Sequence, residues 1–441
     1  MAARRVEEIF SQRSVLQTYL RVEAALASAE AELNIVPTAA ARFIADCANV
    51  DLVDIEALQS ETKRTGYPIA PLVRQFTAIC GKHGRYVHWG ATTQDILNTA
   101  LALQVNEAFD RYAVSMRAIV LRLVELAHEH RNTVMVARTF GGHALPTTFG
   151  FKVSVWLSGI LRHAVRLEQQ LDDPLTGELG GVAGTLASFE GRGLEVRRQF
   201  MRSLALPEPD ITWSAMRDGV VQRVLFLAVL SGTLAKVTQD IADLASTEIG
   251  ELAEPTSGGK DASSALPFKA NPIYCAQVTA GAALVAQHAA TTLQAMRQHQ
   301  ERSAEGLLEF KVLPVAFVEA ERCLEGVLRV LRGLRVFPDR MRRNLNLTHG
   351  IILAERFMMA LAPHIGRLAA HDLVHNACSQ ALADGVDLPH VLAQMPEVTR
   401  HVSGRAVAEL GEPSGYLGNA LEMNDRVCLA AKTFLSNGRD Q

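Results

Sequence analysis

Residues 254–278 read EPTSGGKDASSALPFKANPIYCAQV, and the fold of the chain turns on how this stretch is read. Long runs free of helix breakers lie on both sides of it. The stretch itself gathers Gly and Pro breaks, the adjacent serines Ser263 and Ser264, Lys269 and Asn271 into a few residues. Gly258 and Gly259 permit backbone angles closed to other residues. The expectation is a mobile loop that carries polar groups to the start of the next helix, the kind of segment on which functional groups concentrate.

Working outward, 441 residues exceed what one core usually fills, so two or three domains are expected. The hydrophobic share is 48% with only 6% aromatic. Ala and Leu outnumber Val, Ile and Tyr, which favours helices over sheets. A net charge of -3 supplies no basic footprint for nucleic acid or an anionic membrane, so a small molecule is the expected partner. The six cysteines are scattered, with no CxxC pair and no histidine at ligand spacing. No metal site is expected, and free thiols fit a cytoplasmic protein. The segment MAARRVEEIF turns acidic before any long apolar run, and no stretch of about 18 uninterrupted apolar residues occurs, so no membrane span is expected.

Residues 14–34 place Val15, Leu16, Leu20, Val22, Ala25, Leu26 and Leu33 near helical spacing with charges between them, an amphipathic helix. Further helical pieces follow to about residue 82. The run His88, Trp89, Gly90, Ala91, Thr92, Thr93, Gln94, Asp95 then reads as a loop entering a helix, with Thr93 as N-cap and Asp95 in the first turn. A strong helix over 105–131 is broken by RTFGGHALPTTFG (138–150), which sets His143 between flexible hinges. The Gly-rich segment 177–191 holds neither GxGxxG nor GxxxxGK and follows no β-rich run, so it reads as a turn packed on helices, not a phosphate cradle. From Arg217 to Glu251 no proline occurs and apolar residues recur at helical spacing, enough for a rod of roughly 50 Å. Residues 273–297 and 315–335 repeat the theme, which points to a bundle of long helices. The expected division is an N-terminal helical domain (1–104), a central long-helix bundle (105–350) carrying the loop 255–272, and a small helical C-terminal domain (351–441).

Three polar segments inserted into a rod-like helical chain have a familiar wording. HWGATTQDILNT (88–99), RTFGGHALPTTFG (138–150) and ASSALPFKANP (262–272) resemble the three motif regions of the fumarase/aspartase superfamily. The third matches the signature GSSxMPxKxNP except for Ala262 and Leu266. The resemblance extends over essentially the whole chain, in particular to the carboxymuconate cycloisomerase and adenylosuccinate lyase branch, through FSQRSVLQTYLRVEAALASAEAELNIVP, GGVAGTLASFEGRG, QERSAEGLLEF and EPSGYLGNALEMNDRV. Ala276 also fits the cycloisomerase type, adenylosuccinate lyases normally carrying Glu there. The resemblance implies an all-α homotetramer in which three subunits contribute to each active site. It also implies chemistry without a cofactor on a di- or tricarboxylate.

The shared physical problem is removal of a proton beside a carboxylate, which creates a dianionic, enolate-like species that only preorganised charge can stabilise. By position, Ser263 matches the superfamily's general base and Ser264 its neighbour. A hydroxyl is a weak acid, so backbone N–H groups and the Lys269 charge have to stabilise its alkoxide. Lys269 and Asn271 match residues that hold a substrate carboxylate, and Thr92, Thr93 and Thr139 match hydroxyls that donate to carboxylates. His143 matches the histidine that protonates the leaving group, and His88 a second active-site histidine. The chain departs from its branch where MPHKRNP is usual, with Phe268 for His and Ala270 for Arg. It departs again at Gly142, where Gln is usual, and at Met216, where Gln is common. Contacts to the variable part of the substrate are thereby lost, which speaks against a purine nucleotide.

The leading expectation is proton abstraction by Ser263 from a succinyl or N-substituted aspartate. Two outcomes follow: carbon–nitrogen elimination that releases fumarate, or epimerisation of an iminodisuccinate-like compound. A second reading keeps cycloisomerisation of 3-carboxy-cis,cis-muconate. A third is a non-catalytic, crystallin-like structural protein, against which the joint presence of Ser263, Lys269, Asn271 and His143 argues.

Overall fold

The computed structural model describes residues 4–255 and 270–437. The expected catalytic loop, with Ser263, Ser264 and Lys269, lies outside the described residues. The fold is all-α: long helices carry the chain, and strands are confined to two short antiparallel pairs among the described residues.

Contacts divide the chain into two compact units, the first of residues 1–115, 164–232 and 280–324, the second of 116–163, 233–279 and 325–441. Every crossing from one to the other falls inside a long helix, namely Thr93–Glu129, Phe149–Asp172, Asp218–Leu244, Ile273–Thr292 or Leu307–Arg332. The first of these spans about 55 Å at 1.5 Å per residue and runs unbroken from the motif loop, joining the helix expected to start at Thr93 to the one expected over 105–131. The 307–332 helix runs through Pro314, where a start just beyond the proline is expected.

In the first unit the helix Gln12–Glu32 is capped by Ser11, whose Oγ accepts from the Ser14 N–H at 3.3 Å. It packs on Thr38–Asp46 and Gly193–Leu204, and its Leu16, Leu20 and Leu26 are buried. An aromatic cluster of Phe109, Tyr112, Phe226 and Phe317 joins three long helices, with ring centroids 5.6–6.3 Å apart. The Tyr112 hydroxyl is satisfied by donating to the Phe317 carbonyl at 2.7 Å.

The helix Asp218–Leu244 is long and apolar enough to cross a bilayer by length and composition. Its residues Val220, Val224, Leu227, Leu230, Leu234, Val237 and Ile241 are buried within the protein, with the polar Ser231 and Thr238 among them. These positions recur every three or four residues, the buried stripe of a core helix, while Gln222, Lys236, Gln239 and Asp243 are exposed on the other side.

In the second unit, helices Ala354–Ile365 and Arg367–Asp384 form a hairpin around Gly366, whose φ of 83° needs glycine. Phe357, Leu361, Val374, Ala377 and Leu392 fill its core. Residues 138–150 correct the expectation of a flexible break. Val134–Thr139 and Gly142–Thr148 form an antiparallel hairpin in which Arg138 pairs with His143 and Thr139 with Gly142. Two-strand pairing leaves both edges open, so Pro146 is tolerated opposite Val136 despite its missing N–H.

Candidate functional site

The first motif is built from the first unit. His88 takes a left-handed backbone at φ 60°, and Gly90 follows at φ 70° with the Phe189 ring against it. A Cβ on Gly90 would lie 2.6 Å from that ring, so only glycine fits. The helix begins at Thr93, which moves the cap position from Thr93 to Thr92. Thr92 N–H donates to Asp95 Oδ2 at 2.8 Å, the carboxylate half of a capping box, while Asp95 N–H donates to the Thr92 carbonyl at 3.0 Å as an ordinary first turn.

Asp95 does more than cap. Its carboxylate also accepts from Gly180 N–H at 2.8 Å and Gly181 N–H at 3.1 Å, so one buried side chain ties the motif loop to the Gly-rich loop. Burial pushes Asp95 up to about 7, against the three N–H donors that favour its charge. Replacing Asp95 by alanine is expected to cost about 2–3 kcal/mol, read as a lowered thermal midpoint, because three N–H groups lose their acceptor and water recovers only part.

Glu178, fully buried, accepts from the Thr212 hydroxyl and from Trp213 N–H at 3.0 Å, and its own N–H donates to Thr99 Oγ1 at 2.8 Å. These bonds set the two loops 177–184 and 212–215 around a small cavity of about 180 Å³, lined by Val182, Gly184, Thr212, Ser214 and Arg302 among others. Beneath it, Arg217 and Glu309 form a buried ion pair that also reaches Asn98, with the Arg217 guanidinium 4.8 Å from the Trp213 ring centre.

His88 is held from the other side. Its Nδ1 lies 2.7 Å from Oε1 of Glu23, which is 2% exposed. Reading residues 14–34 by apolar spacing treats Glu23 as a surface charge and misses this contact. The signal that finds it is the pair Glu23 and Glu30, seven residues apart on one helix face, both buried.

The second motif belongs to the second unit. His143 stands on the hairpin beside Arg138, whose guanidinium grips Glu251 at 3.0 and 2.7 Å. Asn344 Nδ2 donates to the same carboxylate at 2.7 Å. His143 Nδ1 is buried with no hydrogen-bond partner, and burial followed by the Arg138 charge lowers its pKa, which favours the neutral ring. Thr139 and the wholly exposed Phe140 form the hairpin tip, where Gly141 turns at φ 82°. Asn271 precedes the helix Ile273–Thr292, its carbonyl accepting from Ile273 N–H at 2.9 Å.

Glu254, given no role from the sequence, caps that same helix by accepting from Tyr274 N–H at 3.2 Å and Cys275 N–H at 3.1 Å. It thereby fixes residue 254 at the start of that helix. Thus His88, Thr92 and Thr93 share the first unit, and Thr139, His143 and Asn271 the second. Among the described residues no group of three His, Cys, Asp or Glu side chains is placed to hold a metal ion.

A family model described as lyase matches residues 1–286, and one described as adenylosuccinate lyase C-terminus matches residues 350–427. The chain is 38% identical to a 3-carboxy-cis,cis-muconate cycloisomerase of Bradyrhizobium diazoefficiens, over 94% of this chain and 93% of that one. It is 34% identical to an N-acetyl-S-(2-succino)cysteine lyase of Dickeya dadantii, over 95% and 92%. The crystal structure of a fumarate lyase from Mesorhizobium sp. BNC1 superposes with a TM-score of 0.90 at 42% identity, over 97% of this chain and 99% of that one.

Proposed function

The chain belongs to the fumarase/aspartase superfamily of lyases and cycloisomerases, and from that premise we propose that it removes a proton beside a carboxylate of a succinyl or N-substituted aspartate substrate. Ser263 takes the proton, and the C–H electron pair moves into the carboxylate as the dianionic intermediate forms. Lys269, Asn271 and the hydroxyls of Thr92, Thr93 and Thr139 hold its negative oxygens. The pair then forms the carbon–carbon double bond of fumarate as the C–N bond breaks, and the nitrogen leaves with the electrons of that bond and takes a proton from histidine. If the nitrogen stays and the proton returns to the opposite face, the product is an epimer.

The observation that carries this reading is Gly142. It pairs with Thr139 in the hairpin, takes no left-handed backbone, and a Cβ there would meet only the Thr139 carbonyl at 3.7 Å. The backbone does not require glycine, so the bare position is a property of the site, not of the turn. With Phe268 and Ala270 it removes polar contacts to the variable end of the substrate and keeps the dicarboxylate end intact. Gly142→Gln is therefore expected to leave the thermal midpoint within about 2 °C of wild type. The same change should lower kcat/KM by about tenfold through crowding of that end. A loss of folding in this variant would overturn the argument.

A carbon–sulfur analogue of such an elimination is suggested by the name of the Dickeya relative, a succinocysteine lyase. Similarity along almost the full length to a carboxymuconate cycloisomerase favours a second reading, intramolecular carboxylate addition to a double bond of that triacid. The test is incubation of the purified protein in D₂O with iminodisuccinate and, separately, with 3-carboxy-cis,cis-muconate. Fumarate absorbance supports the lyase, and deuterium in recovered substrate with an inverted centre supports the epimerase. Turnover of the triacid alone supports the cycloisomerase. No reaction with any dicarboxylate amine, together with full activity on the triacid, removes the leading reading.

The proposal includes a homotetramer. Val155, Val165, Val229, Leu284 and Val315 are exposed on long helices of the single chain, the kind of apolar surface that subunit contact covers. A monomer by light scattering at micromolar concentration would count against it.

A further inference from the structure

We propose that Glu23 is a positioning residue for this reaction: its buried carboxylate holds the His88 ring with Nδ1–H turned inward, so that the ring meets the substrate as an imidazolium with Nε2–H as its donor. The inference rests on the reading above that the 88–99 segment lines a carboxylate-binding site.

Glu23 Oε1 lies 2.7 Å from His88 Nδ1, and Glu23 Oε2 is buried with no partner. The ring is therefore the only side chain that the described structure offers to offset this carboxylate. A buried carboxylate is tolerable when its neighbour carries the opposite charge and costly when that neighbour is neutral. Among the described residues, Nε2 has no hydrogen-bond partner and is left for a ligand. His88 also holds a left-handed backbone at φ 60°, a conformation unfavourable for a side chain of this size and maintained by the packing around it.

The charged groups that face the ring are Glu23, from the 12–32 helix, and Asp95, from the 93–129 helix. Burial pulls the ring towards neutrality. The hydrogen bond and charge of Glu23, helped by Asp95, outweigh it and set the pKa above the ordinary value. Glu30, one heptad along the same face, has neither oxygen partnered and is pushed up to about 9 by burial and by Glu23. It therefore favours the neutral acid at pH 7. His143 is biased the opposite way, towards the neutral ring, so the two motif histidines are set to different protonation states. By linkage, the pair stabilises the fold fully below the unfolded histidine value of about 6.5, and that contribution is lost as pH rises through the higher folded value.

Carbethoxylation by diethyl pyrocarbonate attacks only the neutral ring. Peptide mass mapping of His88 modification against pH therefore reads its protonation without any substrate. In the wild-type protein the midpoint is expected above about 6.5, and in Glu23→Gln it should fall by about one unit or more. The alkaline limb of kcat/KM should move down with it, so that activity near pH 8 drops about tenfold. Glu23→Asp, which keeps the charge, should retain most of the wild-type profile, and Glu30→Gln should move neither curve. A wild-type midpoint at or below about 6.5 overturns the proposal even if Glu23→Gln does not fold, and so does an unmoved curve in that variant. A shifted midpoint with an unmoved rate profile removes His88 from the reaction while leaving the deuterium test untouched. Absence of turnover with every substrate sinks the functional reading instead, and the modification curve still reports on the Glu23–His88 pair.

Discussion

Replacing Ser263 by alanine is expected to lower kcat by about 10³–10⁴-fold, the range of a lost general base, with helix content and thermal midpoint unchanged. That loss corresponds to about 4–5.5 kcal/mol of transition-state stabilisation. The size follows from the difficulty of the step. A serine hydroxyl holds its proton tightly, so the alkoxide exists only where Lys269 and backbone N–H groups are aimed at it, and no water in the same place is stabilised alike. Ser264→Ala, without the proton to take, should cost about tenfold. A second measurement separates base from leaving-group acid. If Ser263 abstracts the proton, its alanine variant loses deuterium exchange at the substrate carbon together with product. A variant of the residue that protonates the leaving group keeps exchange and loses product only. Full turnover in Ser263→Ala, or exchange that persists, would take the base assignment away.

How far the sequence alone reached depended on whether a signal was local. The helices 12–32 and 218–244 were legible because their apolar residues recur every three to four positions, and the lyase membership was legible because its three motifs are contiguous words. The hairpin 134–148 was not. Gly141, Gly142 and Pro146 weigh towards a loop, and the β-branched residues that argue otherwise, Val134, Val136, Thr147 and Thr148, sit at its ends. Contacts between distant residues left no local mark at all. Asp95 was legible as a first-turn carboxylate, but its bonds to Gly180 and Gly181 span 85 and 86 positions. Glu23 read as a solvated charge, because an amphipathic pattern assigns polar residues to water unless some other observation buries them. Glu254 read as part of a breaker-rich stretch, yet it stands at the positive end of the helix that begins nineteen residues later.

The other large effect is expected in the core beneath the motif loops. Glu309→Ala should destabilise the fold by about 3–5 kcal/mol, because it leaves the Arg217 guanidinium buried without its counter-charge. Both side chains are nearly inaccessible, at 2% and 0% exposure, so water cannot enter to replace the carboxylate. The pair is nevertheless a poor source of net stability, since both ions had to be desolvated to form it. Replacing both at once, Arg217→Met with Glu309→Leu, should therefore lie much nearer wild type than Glu309→Ala does. Asn98 would lose the Arg217 donor but keep Gln94 Nε2 at 2.7 Å and Ser214 Oγ at 3.3 Å, and the Met thioether would take the place of the guanidinium against Trp213. The thermal midpoints of Arg217→Met alone, Glu309→Leu alone and the double close a cycle whose coupling should be about 2 kcal/mol or more. Because Thr212, Ser214 and Ala215 border the small cavity, the double variant should also be the sharper probe of function. If activity falls while the midpoint recovers, the buried pair serves to fix the 212–215 loop. If Glu309→Ala and the double variant melt together, the cost is lost packing, and the electrostatic account of this core fails.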